Sequence, residues 1–154
     1  MVKKDIIEII GLLAIIGSLI FVGIEIRQNS MALRGETYQS ISEQVTELYM
    51  NIASDERLSK LVSQMLIFNS VNDSLRDNLS AADQLSLDFI VLTGLRRVEN
   101  IYLQESDGIL SENAFDRIGM EFYQTTFSRE TWEKYKTGFD KSFINFFEKL
   151  RDNK

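Results

Sequence analysis

The chain has 154 residues, which suits one domain of ordinary size or a smaller domain with an added segment. Its 23 acidic and 17 basic residues leave a net charge of −6, which argues against electrostatic binding to nucleic acid. Because Cys and His are both absent, disulfides, thiolate nucleophiles, Ser-His-Asp triads and His- or Cys-ligated metals are excluded. We expect no metal, no cofactor and no enzymatic activity, although carboxylate or Mg²⁺-dependent chemistry stays open, since a chain rich in acids always offers some pair.

The first 27 residues differ in composition from the rest. Sixteen uncharged residues lie between Glu8 and Glu25, and one serine is the only polar side chain among them. The stretch between Asp5 and Arg27 measures ~31 Å as a helix, about the thickness of a bilayer's hydrocarbon core. We predict a membrane anchor over residues 1–27. The alternatives are a cleaved signal peptide, which the charge at Arg27 disfavours, and a buried helix of a soluble oligomer.

Small residues share one face of this anchor. Gly11, Ala14 and Ser18 follow a spacing of three and four residues, which allows two helix backbones to approach closely in lipid. We therefore predict helix–helix packing in the membrane at these residues. The alternative is that small residues are simply common in such segments.

Beyond Ile26 the apolar spacing is that of successive helices, without the strict alternation of half-buried strands. We predict an all-α protein, in which an N-terminal transmembrane helix precedes an acidic helical bundle over residues 28–154. The first helix after the anchor covers about 31–53 and has a single apolar seam. That seam comprises Tyr38, Ile41, Val45, Leu48 and Ile52. The spacing leaves open whether residues 27–53 continue the anchor as one helix.

Capping and turn residues divide the remainder of the bundle. The predicted N-caps are Ser54 or Asp55, Ser80, Ser111 and Ser128. Residues 69–80 are rich in Asn, Asp and Ser, which predicts a linker or long loop. Ser80 and Asp83 resemble a capping box, and Gly108 ends the helix that they begin. A last helix is expected after Gly138.

The predicted helix over 81–106 is apolar on two sides. Its broad face comprises Leu87, Ile90, Val91, Gly94, Leu95, Val98, Ile101 and Tyr102, and its second stripe comprises Leu85, Phe89, Leu92 and Leu103. Because a helix that is apolar on two sides is expected to be buried on both, we predict that it is the central helix of the bundle.

A row of polar residues accompanies the second stripe of this helix. The row comprises Arg96, Glu99, Asn100 and Gln104, and Arg97 is adjacent to it in sequence. One interpretation is an internal polar network that fixes how neighbouring helices dock. The other is a small pocket, in which Arg96 or Arg97 holds an anionic group and Glu99 or Asn100 orients it.

Aromatic residues concentrate in the C-terminal half. Ten of the sixteen lie between Phe115 and Phe147, and core packing explains most of them. The alternative is an exposed surface for a partner or a membrane. Candidates for that surface are Trp132, Tyr135, Phe143 and Phe147.

Several short segments resemble a widespread bacterial family of small proteins of unknown function. The matching segments are residues 26–30, 32–34, 38–39, 97–104 and 108–112, with the aromatic stretch around Phe127, Trp132 and Phe143. The resemblance implies one N-terminal membrane helix and a compact helical domain, with no catalytic residues to carry over.

These observations favour a non-enzymatic, single-pass protein of the bacterial inner membrane. Its helical domain is expected to bind another protein or a second copy of itself, as an accessory subunit or scaffold. The alternative is a membrane-tethered sensor that binds a small anionic ligand in the bundle. The charges flanking the anchor are nearly balanced, with Lys3 and Lys4 before it and Arg27 and Arg34 after it. The resemblance implies a cytoplasmic domain, because arginines often follow the membrane helix in that family, so the cytoplasmic side is weakly favoured.

Overall fold

A computed structural model describes residues 3–67 and 75–152 of the chain. The helices in this part are α1 (Lys3–Ser54), α2 (Glu56–Ile67), α3 (Ala81–Ser106), α4 (Met120–Gln124), α5 (Thr126–Tyr135) and α6 (Lys141–Asp152). Short 3-10 helices cover Leu75–Asn78, Glu112–Arg117 and Lys136–Gly138. The described ranges contain no strand, so the all-α prediction is confirmed. Residues 69–74 of the predicted linker lie outside the described residues.

The chain divides into two compact units, Met1–Ser40 and Ile41–Lys154. Large apolar side chains from Ile6 to Ile26 are 42–70% exposed. The most apolar 18-residue window of α1 has a mean hydropathy of 2.6, and none of it is buried. Helix α1 is therefore long and apolar enough to cross a membrane, as the sequence predicts. Packing at Gly11, Ala14 and Ser18 requires a second helix and stays a prediction.

Three predicted helix boundaries are found where the sequence places them. The Leu58 backbone N–H donates to Asp55 Oδ1 at 3.0 Å, so Asp55 caps α2. The Asp83 backbone N–H donates to Ser80 Oγ at 3.2 Å, which caps α3. After α3, Gly108 has φ +71°, the left-handed conformation that glycine adopts at the end of many helices.

Two other boundaries differ from the prediction. The helix expected after Ser111 divides into the 3-10 helix Glu112–Arg117 and α4, because the backbone is extended at Ile118. Ser128 does not begin α5. The Thr125 hydroxyl accepts the Ser128 backbone N–H at 3.3 Å, and the Ser128 hydroxyl donates to the Phe122 carbonyl at 2.8 Å. Thr125 is thus the N-cap, and Ser128 belongs to the first turn.

Helix α3 is the central helix, packed against α2, α5 and the 3-10 helix Glu112–Arg117. Its broad face is buried, with Leu87, Val91, Leu95 and Val98 at most 1% exposed. The predicted burial of the second stripe is wrong for Leu85, Phe89 and Leu103, which are 46–56% exposed. The broad face carries more apolar area, so burying it dominates the packing.

The aromatic side chains of α5 and α6 form the core. Trp132 is 1%, Phe143 0% and Phe147 1% exposed. The Trp132 ring lies 4.6 Å from the Phe147 ring and 6.1 Å from the Phe143 ring, centroid to centroid. The prediction of an exposed partner surface is therefore wrong for these three residues, because their rings pack against one another in the core. Tyr135 is half-buried, with its hydroxyl 3.4 Å from Asp88 Oδ2.

A buried carboxylate lies beside this core. Asp88 of α3 is 1% exposed and accepts from Arg76 Nη2 at 2.7 Å, Lys134 Nζ at 2.9 Å and the Thr131 hydroxyl at 2.8 Å. Burial raises the pKa of Asp88, but the hydrogen bonds from Arg76, Lys134 and Thr131 together lower it further, so the pKa lies below its usual value. The network joins α3, α5 and the 3-10 helix Leu75–Asn78.

We expect Asp88→Asn to lower the free energy of unfolding at neutral pH by about 3 kcal/mol, because it removes the buried charge that Arg76 and Lys134 share. Arg76 then keeps Glu130, at 3.2 Å from its Nε, as its carboxylate partner. A lowered pKa stabilises the fold above the usual carboxyl pKa, and that stabilisation is lost as pH falls through the folded value. Wild type should therefore lose stability below pH ~4 more steeply than the variant. Denaturant unfolding of the full chain across pH measures both effects.

Asp77 is the control, because it neighbours Arg76 and its side chain is exposed. Asp77→Asn should change the free energy of unfolding by less than about 0.5 kcal/mol. If Asp88→Asn behaves like Asp77→Asn, the buried network does not stabilise the fold.

Candidate functional site

The second unit contains a groove of about 710 Å³, a volume typical of ligand pockets. Helix α1 contributes side chains between Leu48 and Ala53, and α2 contributes side chains between Ser59 and Ile67. Helix α3 and the segment 119–123 complete the lining. Most lining residues are aliphatic or aromatic, so the groove is an apolar environment with few polar groups.

The α3 wall has its charge at one end. Ile90, Gly94 and Arg97 line the groove at positions i, i+4 and i+7, so they share one face of the helix. The helical rise separates Ile90 from Arg97 by ~10 Å. The wall therefore runs from an aliphatic end to a guanidinium end.

Arg97 has an unsatisfied donor beside the groove. Its Nε is buried and has no hydrogen-bond partner within the part of the chain that the structure describes. A buried donor without a partner is costly, and a guanidinium is the side chain best suited to binding a carboxylate or phosphate. A smaller cavity of about 320 Å³ adjoins the groove and shares Leu48, Gly94 and Arg97 with it. Arg97 is accordingly the basic residue of the described groove lining.

Tyr123 lies against Gly94, where a Cβ would collide with the tyrosine hydroxyl. Burial raises the pKa of Tyr123 to about 12, and the Arg97 charge opposes this only in part. The phenol is therefore a neutral donor at physiological pH. Its ring packs edge-on to Phe122, at 5.2 Å between centroids, and to Phe147, at 5.8 Å.

The residues of the predicted polar row pair with one another and with the segment just before α6. Arg96 Nη1 pairs with Glu99 Oε2 at 2.7 Å, and Arg96 Nη2 donates to the Gly138 carbonyl at 3.0 Å. The Asp140 backbone N–H donates to Glu99 Oε1 at 3.3 Å. These contacts join α3 to the segment just before α6, and the Arg96 side chain is 54% exposed.

The row has two further contacts, a pair between Asn100 and Gln104 and a stacking contact of Arg96. Gln104 Nε2 donates to Asn100 Oδ1 at 3.1 Å, and the Arg96 guanidinium stacks on the Phe139 ring at 4.0 Å. Arg97 points to another side of α3, because adjacent residues differ by 100° around a helix. Of the predicted ligand-binding residues, Arg97 is the one that lines the groove.

Sequence reasoning did not predict the other walls of this groove. The signal available was Gly94, a glycine in the interior of a helix, which costs about 1 kcal/mol relative to alanine and indicates close approach by another group. No comparable signal marks Ile52 of α1 or Leu66 of α2, since their pattern is that of ordinary core residues.

No family model, curated protein or solved structure matches this chain. The resemblance to a bacterial family of unknown function therefore stays a prediction, and the function must be argued from the site itself.

Gly94→Ala should lower the free energy of unfolding by about 1–3 kcal/mol, because the new methyl group overlaps the Tyr123 hydroxyl. Tyr123→Phe removes that hydroxyl. The double variant should therefore be less destabilised than the sum of the two single variants, by at least about 0.5 kcal/mol. Denaturant unfolding of all four proteins checks this. Additive effects would mean that the two residues are not in close contact.

Proposed function

We propose that the protein is a membrane-tethered receptor whose helical domain binds a small amphipathic ligand carrying a negative charge. The observation that carries the proposal is the apolar groove of about 710 Å³, lined by Arg97, whose buried Nε has no partner among the described residues. Apolar lining favours the hydrocarbon part of a ligand at about 25 cal/mol per Å² buried. A hydrogen bond from a charged donor adds about 1.5–3 kcal/mol and fixes orientation.

The anchor supports the first half of the proposal. Helix α1 is long and apolar enough to span a bilayer. We place the protein in the bacterial inner membrane as a single-pass protein, with the second unit on the cytoplasmic side, on the arginines that follow the apolar stretch.

A groove-filling variant tests ligand binding. Ser63 lines the groove from α2 and is exposed, so Ser63→Phe should occupy the groove without disturbing the core. The probe is anilinonaphthalene sulfonate, an apolar fluorescent anion. It is added to full-length protein in phosphatidylcholine nanodiscs, and energy transfer from Trp132, the single tryptophan, reports protein-bound probe. We expect saturable binding to wild type and at least tenfold weaker binding to Ser63→Phe.

Lys60→Phe is the matched control, because Lys60 is exposed on the same helix and does not line the groove. It should bind the probe like wild type. Probe binding that is absent from wild type, or equal in the two variants, would rule out the groove as the binding site.

A second function is favoured by the exposed stripe on α3. Leu85, Phe89 and Leu103 are 46–56% exposed and lie along one line of the helix. Exposed apolar side chains grouped in this way are typical of protein interfaces. This stripe, rather than the buried aromatic residues, is the surface for a protein partner or a second copy in an accessory or scaffold role.

The chain has no cysteine, so a single introduced cysteine reports contacts at one position. We expect Phe89→Cys to form disulfide-linked species in oxidised membranes, a dimer for a second copy or a heavier band for another protein. Lys149→Cys, on the exposed side of α6, should not. Gel electrophoresis of the membrane fraction is the measurement. Monomeric Phe89→Cys, or a chain recovered without detergent in the supernatant, would contradict this function.

A further inference from the structure

The two ends of the groove differ in charge and polarity. On α3 Arg97 lies at one end, Ile90 at the opposite end and Gly94 between them, where the Tyr123 hydroxyl lies against the backbone. Aliphatic side chains of α1 and α2, among them Ile52 and Leu66, face the same space. A molecule with one charged end and one long apolar part matches this distribution, whereas a compact polar molecule does not.

The charged residues of the groove lining restrict which charge the polar end of the ligand can carry. Arg97 is the basic residue and Glu121 the acidic residue of the described lining, and the Glu121 side chain is exposed to solvent. A cationic end would be repelled by Arg97, and a neutral end would leave the charged guanidinium uncompensated. A doubly charged phosphate would meet a single guanidinium and leave its second charge unpaired.

Tyr123 offers a second donor near the same end. Its hydroxyl lies against Gly94, one helical turn before Arg97. A carboxylate has two oxygens and accepts from two donors at once. The pair of donors, a guanidinium and a phenol, therefore suits a carboxylate.

Resting on the proposed function, we propose that the ligand is a free single-chain fatty acid. Its carboxylate binds Arg97 and its hydrocarbon chain lies along α3 towards Ile90. The apolar lining then contacts the chain over its length, and affinity rises with each methylene group.

The test uses dodecanoic acid bearing a diazirine on its chain, cross-linked by light to the full-length protein in phosphatidylcholine nanodiscs. Mass spectrometry should locate the label on groove residues of α2 and α3, rather than on the apolar stretch Ile9–Ile24. Octanoate, decanoate and dodecanoate should compete with affinities that rise about fifteenfold per two methylenes, against free aqueous concentration. Dodecanol should compete at least tenfold more weakly than dodecanoate.

Substitutions distinguish the effect of the Arg97 charge on ligand binding from an effect on folding. Arg97→Gln should weaken labelling at least tenfold, and Arg97→Lys should recover part of it. Arg129→Gln is the matched control, because Arg129 pairs with Asp152 and lines neither the groove nor the adjoining cavity, and it should label like wild type. Circular dichroism confirms that each variant is folded. Should Arg97→Gln fail to fold, the comparison of dodecanoate with dodecanol on wild type decides the question.

Each other outcome overturns the inference. Equal competition by acid and alcohol, or label confined to Ile9–Ile24, would exclude a carboxylate in the groove. Loss of label when phosphatidylglycerol replaces part of the phosphatidylcholine would mean that a phospholipid is the ligand. Groove binding of anilinonaphthalene sulfonate without fatty-acid labelling would overturn the fatty-acid inference and leave the proposed receptor. Absence of both would overturn both.

Discussion

The carboxylate of Asp88 is the interaction on which the second unit depends. It brings Arg76 and Lys134, from elements before and after α3, to one side of the central helix. Desolvating a carboxylate is costly, so the fold requires all of its donors to be in place together. The Arg76 guanidinium also stacks on Phe127 at 4.1 Å, which joins the network to the apolar core. With that side of α3 fixed, the helix can present a different side to the groove.

Neighbouring residues on α3 serve different purposes because the helix turns 100° between them. The Arg96 guanidinium donates to Glu99 and to the Gly138 carbonyl, and it stacks on the Phe139 ring. Arg97 meets apolar walls and retains a buried donor without a partner in the described chain. The same residue type therefore makes contacts between segments at one position and leaves a buried Nε without a partner in the described chain at the next.

The fold was largely predictable from the sequence, since helix periodicity and caps such as Asp55 and Ser80 are local signals. The burial of individual side chains was less predictable than the helices. Segments distant in sequence determine which stripe of α3 is covered. Phe89 and Trp132 are both aromatic, yet one is 56% and the other 1% exposed. Arg97 was predicted as a ligand-binding candidate from its charge on this helix. The groove itself was not, because its walls come from four elements whose proximity no local pattern encodes.

Helix α2 is attached to the bundle in a different manner from its neighbours. Leu61 and Met65 are buried, but apolar contact has little directional preference. Its ion pair, Arg57 with Asp83 at 2.7 Å, is exposed and weakens as salt screens it. This ion pair joins α2 to α3, so the attachment of the α2 wall of the groove to the central helix weakens as ionic strength rises.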